Sequence, residues 1–99
     1  MFVILEKVLG STDSEPLSDI SYPCARVIIQ AKRSNSNAIQ IAPGTVATGV
    51  AYELPKPTAD VQLPELPIKP QYGTQCIDLK DWSALGAQGE GVNLLVEIY

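Results

Sequence analysis

Proline and glycine limit this chain more than any other feature. Eight prolines and seven glycines punctuate its 99 residues, on average more often than one in every ten. Proline fixes φ and lacks a backbone donor, and glycine loses the most chain entropy on ordering. Long helices are therefore disfavoured, and short strands between turns are the expected form. Five of the prolines, at 55, 57, 64, 67 and 70, fall in one stretch, Pro55–Pro70. That stretch cannot be a central strand, because each proline would break the ladder. It reads as an edge strand near Ala59–Leu63 with extended flanks.

Cys24–Lys32 is the clearest strand. Ala25, Val27, Ile29 and Ala31 fall on one face; Cys24, Arg26, Ile28, Gln30 and Lys32 fall on the other. One apolar face and one mostly polar face mark a half-buried strand. Ser34 to Asn37 supplies a turn, since Asn tolerates left-handed backbone and both residue types bond nearby main chain. Ala38–Ala42 then returns with Ile39 and Ile41 inward, which predicts a hairpin from Cys24 to Ala42. Met1–Leu9 reads as a strand stopped by Gly10, with two helical turns as the alternative. Ser11–Tyr22 reads as a loop pinned by Leu17 and Ile20. Pro43 and Gly44 turn the chain into a strand over Thr45–Leu54, broken at Gly49. Gln75–Leu79 alternates as a strand does, and Asp81–Leu85 is compatible with one helical turn. Gly86–Gly91 reads as a hairpin turn into a closing strand, Val92–Tyr99.

These pieces sum to one all-β domain over residues 1–99. The expected form is a small antiparallel β-sandwich or barrel of about six to eight short strands. Residues 1–9 form an N-terminal strand or arm and residues 55–70 an extended proline-rich segment. The expected core is Val27, Ile29, Ile39, Ile41, Ile77, Leu79, Val92, Leu94 and Val96.

Charge and composition narrow the function. Eleven acidic residues outnumber seven basic ones, for a net charge of −4. Nucleic-acid binding needs a basic patch, and here only Lys32 and Arg33 are adjacent, so no nucleic-acid partner is expected. The chain has no histidine, which removes Ser–His and Cys–His catalytic pairs and the usual transition-metal ligand. Two cysteines cannot build a four-thiolate zinc site. No apolar run approaches the ~20 residues of a membrane helix. Met1–Gly10 lacks a basic start and a small-residue cleavage site, so no signal peptide is read there. Cys24 and Cys76 are then expected as free, buried thiols in a reducing cytosol. No enzyme activity, metal or cofactor is expected.

Three features could carry chemistry. Asp78 and Asp81, beside Trp82, could do acid–base work or hold a cation; a strand residue and a turn cap are the simpler roles. Gly86–Gly91 superficially suggests a phosphate loop, but it leads into a strand rather than a helix. Trp82 and Tyr72 could stack on a sugar, which makes a small carbohydrate-binding module the alternative from another class.

The order of pieces carries a resemblance. Ala25–Ala31, an Asn-rich turn, Ala38–Ala42 and Gly49–Leu54 are followed by Leu63–Pro67, Ile77–Leu79 and a glycine-rich turn into Gly91–Tyr99. This sequence of elements, from Cys24 to Tyr99, resembles small β-sandwich structural proteins of tailed-bacteriophage virions: capsid decoration (cement) proteins and related head or tail accessory proteins. The long proline-rich stretch departs from the family's compact turn. The resemblance implies a non-enzymatic virion protein, assembled in the host cytoplasm, that binds and stabilises the outer head surface. It implies the major capsid protein or other virion proteins as partners, and a homo-oligomer. A phage tail or receptor-binding accessory domain is the neighbouring reading. No catalytic or binding residue carries over from the family. Candidate partner contacts come instead from the two segments that offer apolar groups: Phe2 and Ile4 at the N-terminus, and Leu63, Leu66 and Ile68 in the pre-extended proline stretch.

Overall fold

In the computed structural model, which describes residues 1–47, 50–58, 62–71 and 74–98, β3 (Pro23–Ala31) and β9 (Gly91–Ile98) are the longest strands. They pair antiparallel, setting Val27 against Val96, Ile29 against Leu94 and Ala31 against Val92. All six side chains are buried. β1 (Phe2–Val8) lies outside β9, while β6 (Glu65–Ile68) and β7 (Ile77–Asp78) share the other edge of β3. The second sheet runs β2 (Glu15–Pro16), β8 (Trp82–Leu85), β4 (Ile39–Pro43), β5 (Tyr52–Leu54). Its Ile39, Ile41, Leu54 and Ala84 join the inner face of the first sheet in one core, with Leu9, Leu17 and Leu79. Full burial of each large aliphatic side chain stabilises by about 1.5–3 kcal/mol. All nine core residues expected from the alternation are buried.

The fold is the expected all-β sandwich, and several local expectations are corrected. No hairpin joins β3 to β4, because the two strands lie in opposite sheets. The Asn-rich turn carries the chain across the core instead. Gly86–Gly91 likewise crosses from β8 in one sheet to β9 in the other. Cys24 was expected on the polar face. The β3–β9 register slips between Cys24 and Arg26, so Ala25 is the extra residue of a bulge, and Cys24 turns inward to full burial. Leu17 does pin the β2 loop, but Ile20 is 70% exposed. The helical turn is a short 3-10 turn at Leu79–Asp81, and Trp82–Leu85 is strand. Among the described residues of Thr45–Leu54 there are an isolated Ala47–Val50 bridge and β5; Thr48 and Gly49 lie outside the described residues. The proline-rich strand is Glu65–Ile68. Of the expected Ala59–Leu63 strand, Gln62 and Leu63 are not strand and 59–61 lie outside the described residues.

Proline fits β6 because of its register. The Ala31 N–H donates to the Pro64 carbonyl at 3.0 Å. Hydrogen-bonded pairs alternate along an antiparallel ladder, so Pro67, opposite Ile28, directs its missing N–H away from β3. Pro67 therefore costs β6 no ladder bond.

Two polar ties hold the crossings. The Asn35 amide donates to the Gly91 carbonyl at 2.8 Å and accepts from the Gly91 N–H at 3.1 Å. Next to it, the Glu90 carboxylate accepts the N–H groups of Ser36 and Asn37, at 2.7 and 3.1 Å. Gly91 has no room for a side chain: a Cβ there would stand 2.1 Å from the Lys7 carbonyl oxygen. At the β1 edge, Lys7 Nζ reaches Glu15 Oε1 at 3.0 Å from the opposite sheet. The Glu15 carboxylate also accepts from the Gly10 N–H and the Ser11 hydroxyl. The Lys7 contact first, then the Gly10 N–H, lower its pKa to about 2.

Two measurements test this framework. Denaturant unfolding of Asn35→Ala should show a loss of about 1–3 kcal/mol, because the buried Gly91 N–H loses its acceptor. Ile29→Ala in the same experiment should lose about 2–5 kcal/mol. Losses under about 0.5 kcal/mol, the range of ordinary surface substitutions, would contradict both assignments. Glu15 has a depressed folded-state pKa, so its contribution is complete above its ordinary value near 4.5 and disappears as pH falls towards about 2. Glu15→Gln should therefore lose less stability than the parent over that acid window. Equal losses would remove Glu15 from the acid response.

Candidate functional site

The outer face of the five-stranded sheet follows from the same alternation that builds the core. On β1, Val3 and Leu5 pack against the core, so Phe2 and Ile4 point outward. They are 55% and 75% exposed. On β9, Leu94 and Val96 point inward, which leaves Leu95 on the outer face. On β3 and β6 the outward apolar residues are Ile28 and Pro67, which stand opposite each other. The result is a shallow groove along the sheet, lined by Ile4, Ile28, Leu95 and Asn93, that continues past Phe2 to Pro67.

Ion pairs rim the stripe. Arg26 makes a two-pronged contact with Glu97, at 3.0 Å from Nε and 3.2 Å from Nη2. Lys32 pairs with Glu6, and Gln30 donates to Glu65 at 3.5 Å. An exposed apolar strip edged by polar groups is the usual form of an interaction surface.

The sequence candidates divide between this face and the core. Phe2 and Ile4 lie on the outer face. Ile68 is buried in the core, Leu66 packs against it, and Leu63 is half-buried. The alternation of β6 turns Leu66 and Ile68 inward, and its exposed residues are Glu65 and Pro67. Ile28, Leu95 and Pro67 were not singled out from the sequence. The adjacent Leu94 and Leu95 were a visible signal, because two leucines in succession must occupy both faces of a strand.

Asp78 has a structural role here. Its Oδ1 accepts from the Tyr22 N–H at 2.8 Å and the Lys80 N–H at 3.0 Å, and its Oδ2 accepts from the Ser21 hydroxyl. The Ser21 bond first, then the Tyr22 N–H, lower its pKa. The carboxylate thus caps the 3-10 turn and ties it to the irregular segment that leads into β3. Asp81 is exposed and Trp82 packs partly against the core. Tyr72, the other candidate for stacking on a sugar, lies outside the described residues. Among the described residues, no group of three or more His, Cys, Asp or Glu side chains is placed to hold a metal ion.

Both cysteines are free thiols. Cys24 is fully buried, and burial chiefly pushes its pKa up to about 11. Cys76 is only half-buried, which corrects the expectation that both are enclosed. A bulky thiol reagent should therefore label Cys76 alone in the native protein, and Cys24 only after unfolding. Equal native labelling of both, read by mass spectrometry of the digest, would contradict the buried position of Cys24.

Comparison of this chain with protein-family models, curated protein sequences and solved structures finds no match in any of the three.

Proposed function

We propose that this is a non-enzymatic virion structural protein of the capsid-decoration kind, which seats the outer face of its five-stranded sheet on the shell. The observation that supports this reading is the apolar stripe of Phe2, Ile4, Ile28, Leu95 and Pro67, set on hydrogen-bonded strands and rimmed by ion pairs. A sheet face is pre-organised, so binding it to a partner orders few side chains. A decoration protein meets its target at many repeated sites, and modest contacts suffice when copies are linked. In this reading the protein is a homo-oligomer, its partner is the major capsid protein, and its place is the virion. Leu66 and Ile68 serve the core and stand outside the contact.

The test is a comparison of particles assembled with the parent chain and with Ile28→Ser/Leu95→Ser. The parent should co-purify with heads in stoichiometric amounts spread over the whole surface by electron microscopy. The double variant should fold and lose at least about tenfold in affinity, which is about 1.4 kcal/mol. Absence of the parent chain from particles, a few copies confined to one vertex, or undiminished occupancy by the variant would overturn the reading. The vertex result would favour a tail or receptor-binding domain.

A further inference from the structure

β1 is an open strand edge. Ile98 N–H donates to the Met1 carbonyl at 2.9 Å, and Leu9 N–H donates to the Glu90 carbonyl at 2.8 Å. With Phe2 to Val8 in continuous register with β9, these two bonds set the phase of the ladder. The odd-numbered residues exchange hydrogen bonds with β9, so the N–H and C=O groups of Phe2, Ile4, Glu6 and Val8 point to the free side.

Other described edges are blunted in ways that proteins commonly use. β6 carries Pro67, β2 contains Pro16 and is two residues long, β7 is two residues long, and β5 is three residues long and runs into Pro55. β1 is seven residues long with no proline and no described bulge. Its two charges are already paired, Lys7 with Glu15 and Glu6 with Lys32.

We infer that two copies of this chain pair through their β1 edges, antiparallel about a two-fold axis, to join the two five-stranded sheets into one. A two-fold contact uses the same surface on both copies, and an antiparallel strand edge is complementary to itself. Charge selects the register. Full overlap of Phe2–Val8 would set each Glu6 diagonal to its copy on the same face, and like charges at that spacing are unfavourable. A slip of two residues puts Ile4 on the axis facing its copy, Phe2 opposite Glu6 and Val3 opposite Leu5, with no like charges adjacent. This register also places the 75%-exposed Ile4 at the centre of the contact. The stripe of Ile4 and Leu95 then runs on across the axis into the second copy. A strand edge alone buries less than the roughly 1,200 Å² of a tight complex, so the dimer is in reversible exchange with the monomer.

The inference rests on the homo-oligomer reading above and names its contact. Sedimentation from micromolar to millimolar protein should show the 10.6 kDa chain passing to twice that mass. Ile4→Pro removes an N–H that the β1–β9 ladder does not use, so this variant should keep the parent's circular dichroism and stay monomeric. Ile4→Lys should do the same and decides the matter if the proline variant fails to fold. In the dimer, amide exchange should slow at Ile4 and Glu6 but not at Val8, whose N–H lies beyond the paired register. A parent chain that stays monomeric, a trimer or larger closed assembly, or a folded Ile4 variant that still dimerises would overturn the inference. Leu95→Ser separates it from the capsid reading, because that variant should dimerise normally and lose particle occupancy.

Discussion

The contact between Asn35 and Gly91 underlies much of the rest. One side-chain amide satisfies both backbone groups of a buried glycine, and it joins the two crossings between the sheets. The Gly91 carbonyl also receives the Lys32 N–H at 3.3 Å, where β3 ends. Gly91 packs directly on the Lys7 carbonyl of β1. β1, β9 and the exit of β3 are therefore held at a single point. A side chain at position 91 would push β1 away from β9, and loss of the Asn35 amide would leave the Gly91 N–H buried without its acceptor.

From that point the apolar layers follow. The chain changes sheet at six of the eight connections between the described strands, so most elements adjacent in sequence lie in opposite layers of the core. β4 and β5 are the one pair of consecutive strands that bond each other in the described topology. Turn chemistry alone does not distinguish a hairpin from such a crossing. Asn and Ser favour tight turns in both, and only the long-range partners, Gly91 for Asn35 and Glu90 for Ser36 and Asn37, decide between them. This is why the strands were legible in the sequence while their pairing was not.

The faces were legible where apolar and polar residues alternate, as at Val27, Ile29 and Ala31. They were not legible at Cys24, where one extra residue in the bulge reverses the phase. Nor were they at Phe2 to Leu5, where four apolar residues in succession make both faces look alike. The outward half of that run, Phe2 and Ile4, became the centre of the candidate surface. In the proline-rich stretch the sign of the error is reversed. Glu65 and Pro67 alternate with Leu66 and Ile68, a period-2 pattern that marks the leucine and isoleucine as inward-facing despite the prolines around them.

The pairing of β1 with β9 also has a consequence for synthesis. The first strand of the described fold bonds only to the last one, with nearly the whole chain between them. A ribosome adds about 5–20 residues per second, so Phe2–Val8 waits seconds before Gly91–Ile98 exists to receive it. During that interval Val3 and Leu5, as well as Phe2 and Ile4, have no sheet to join. Non-local pairing of this kind closes slowly, and the nascent chain must keep an adhesive segment unpaired until Gly91–Ile98 emerges.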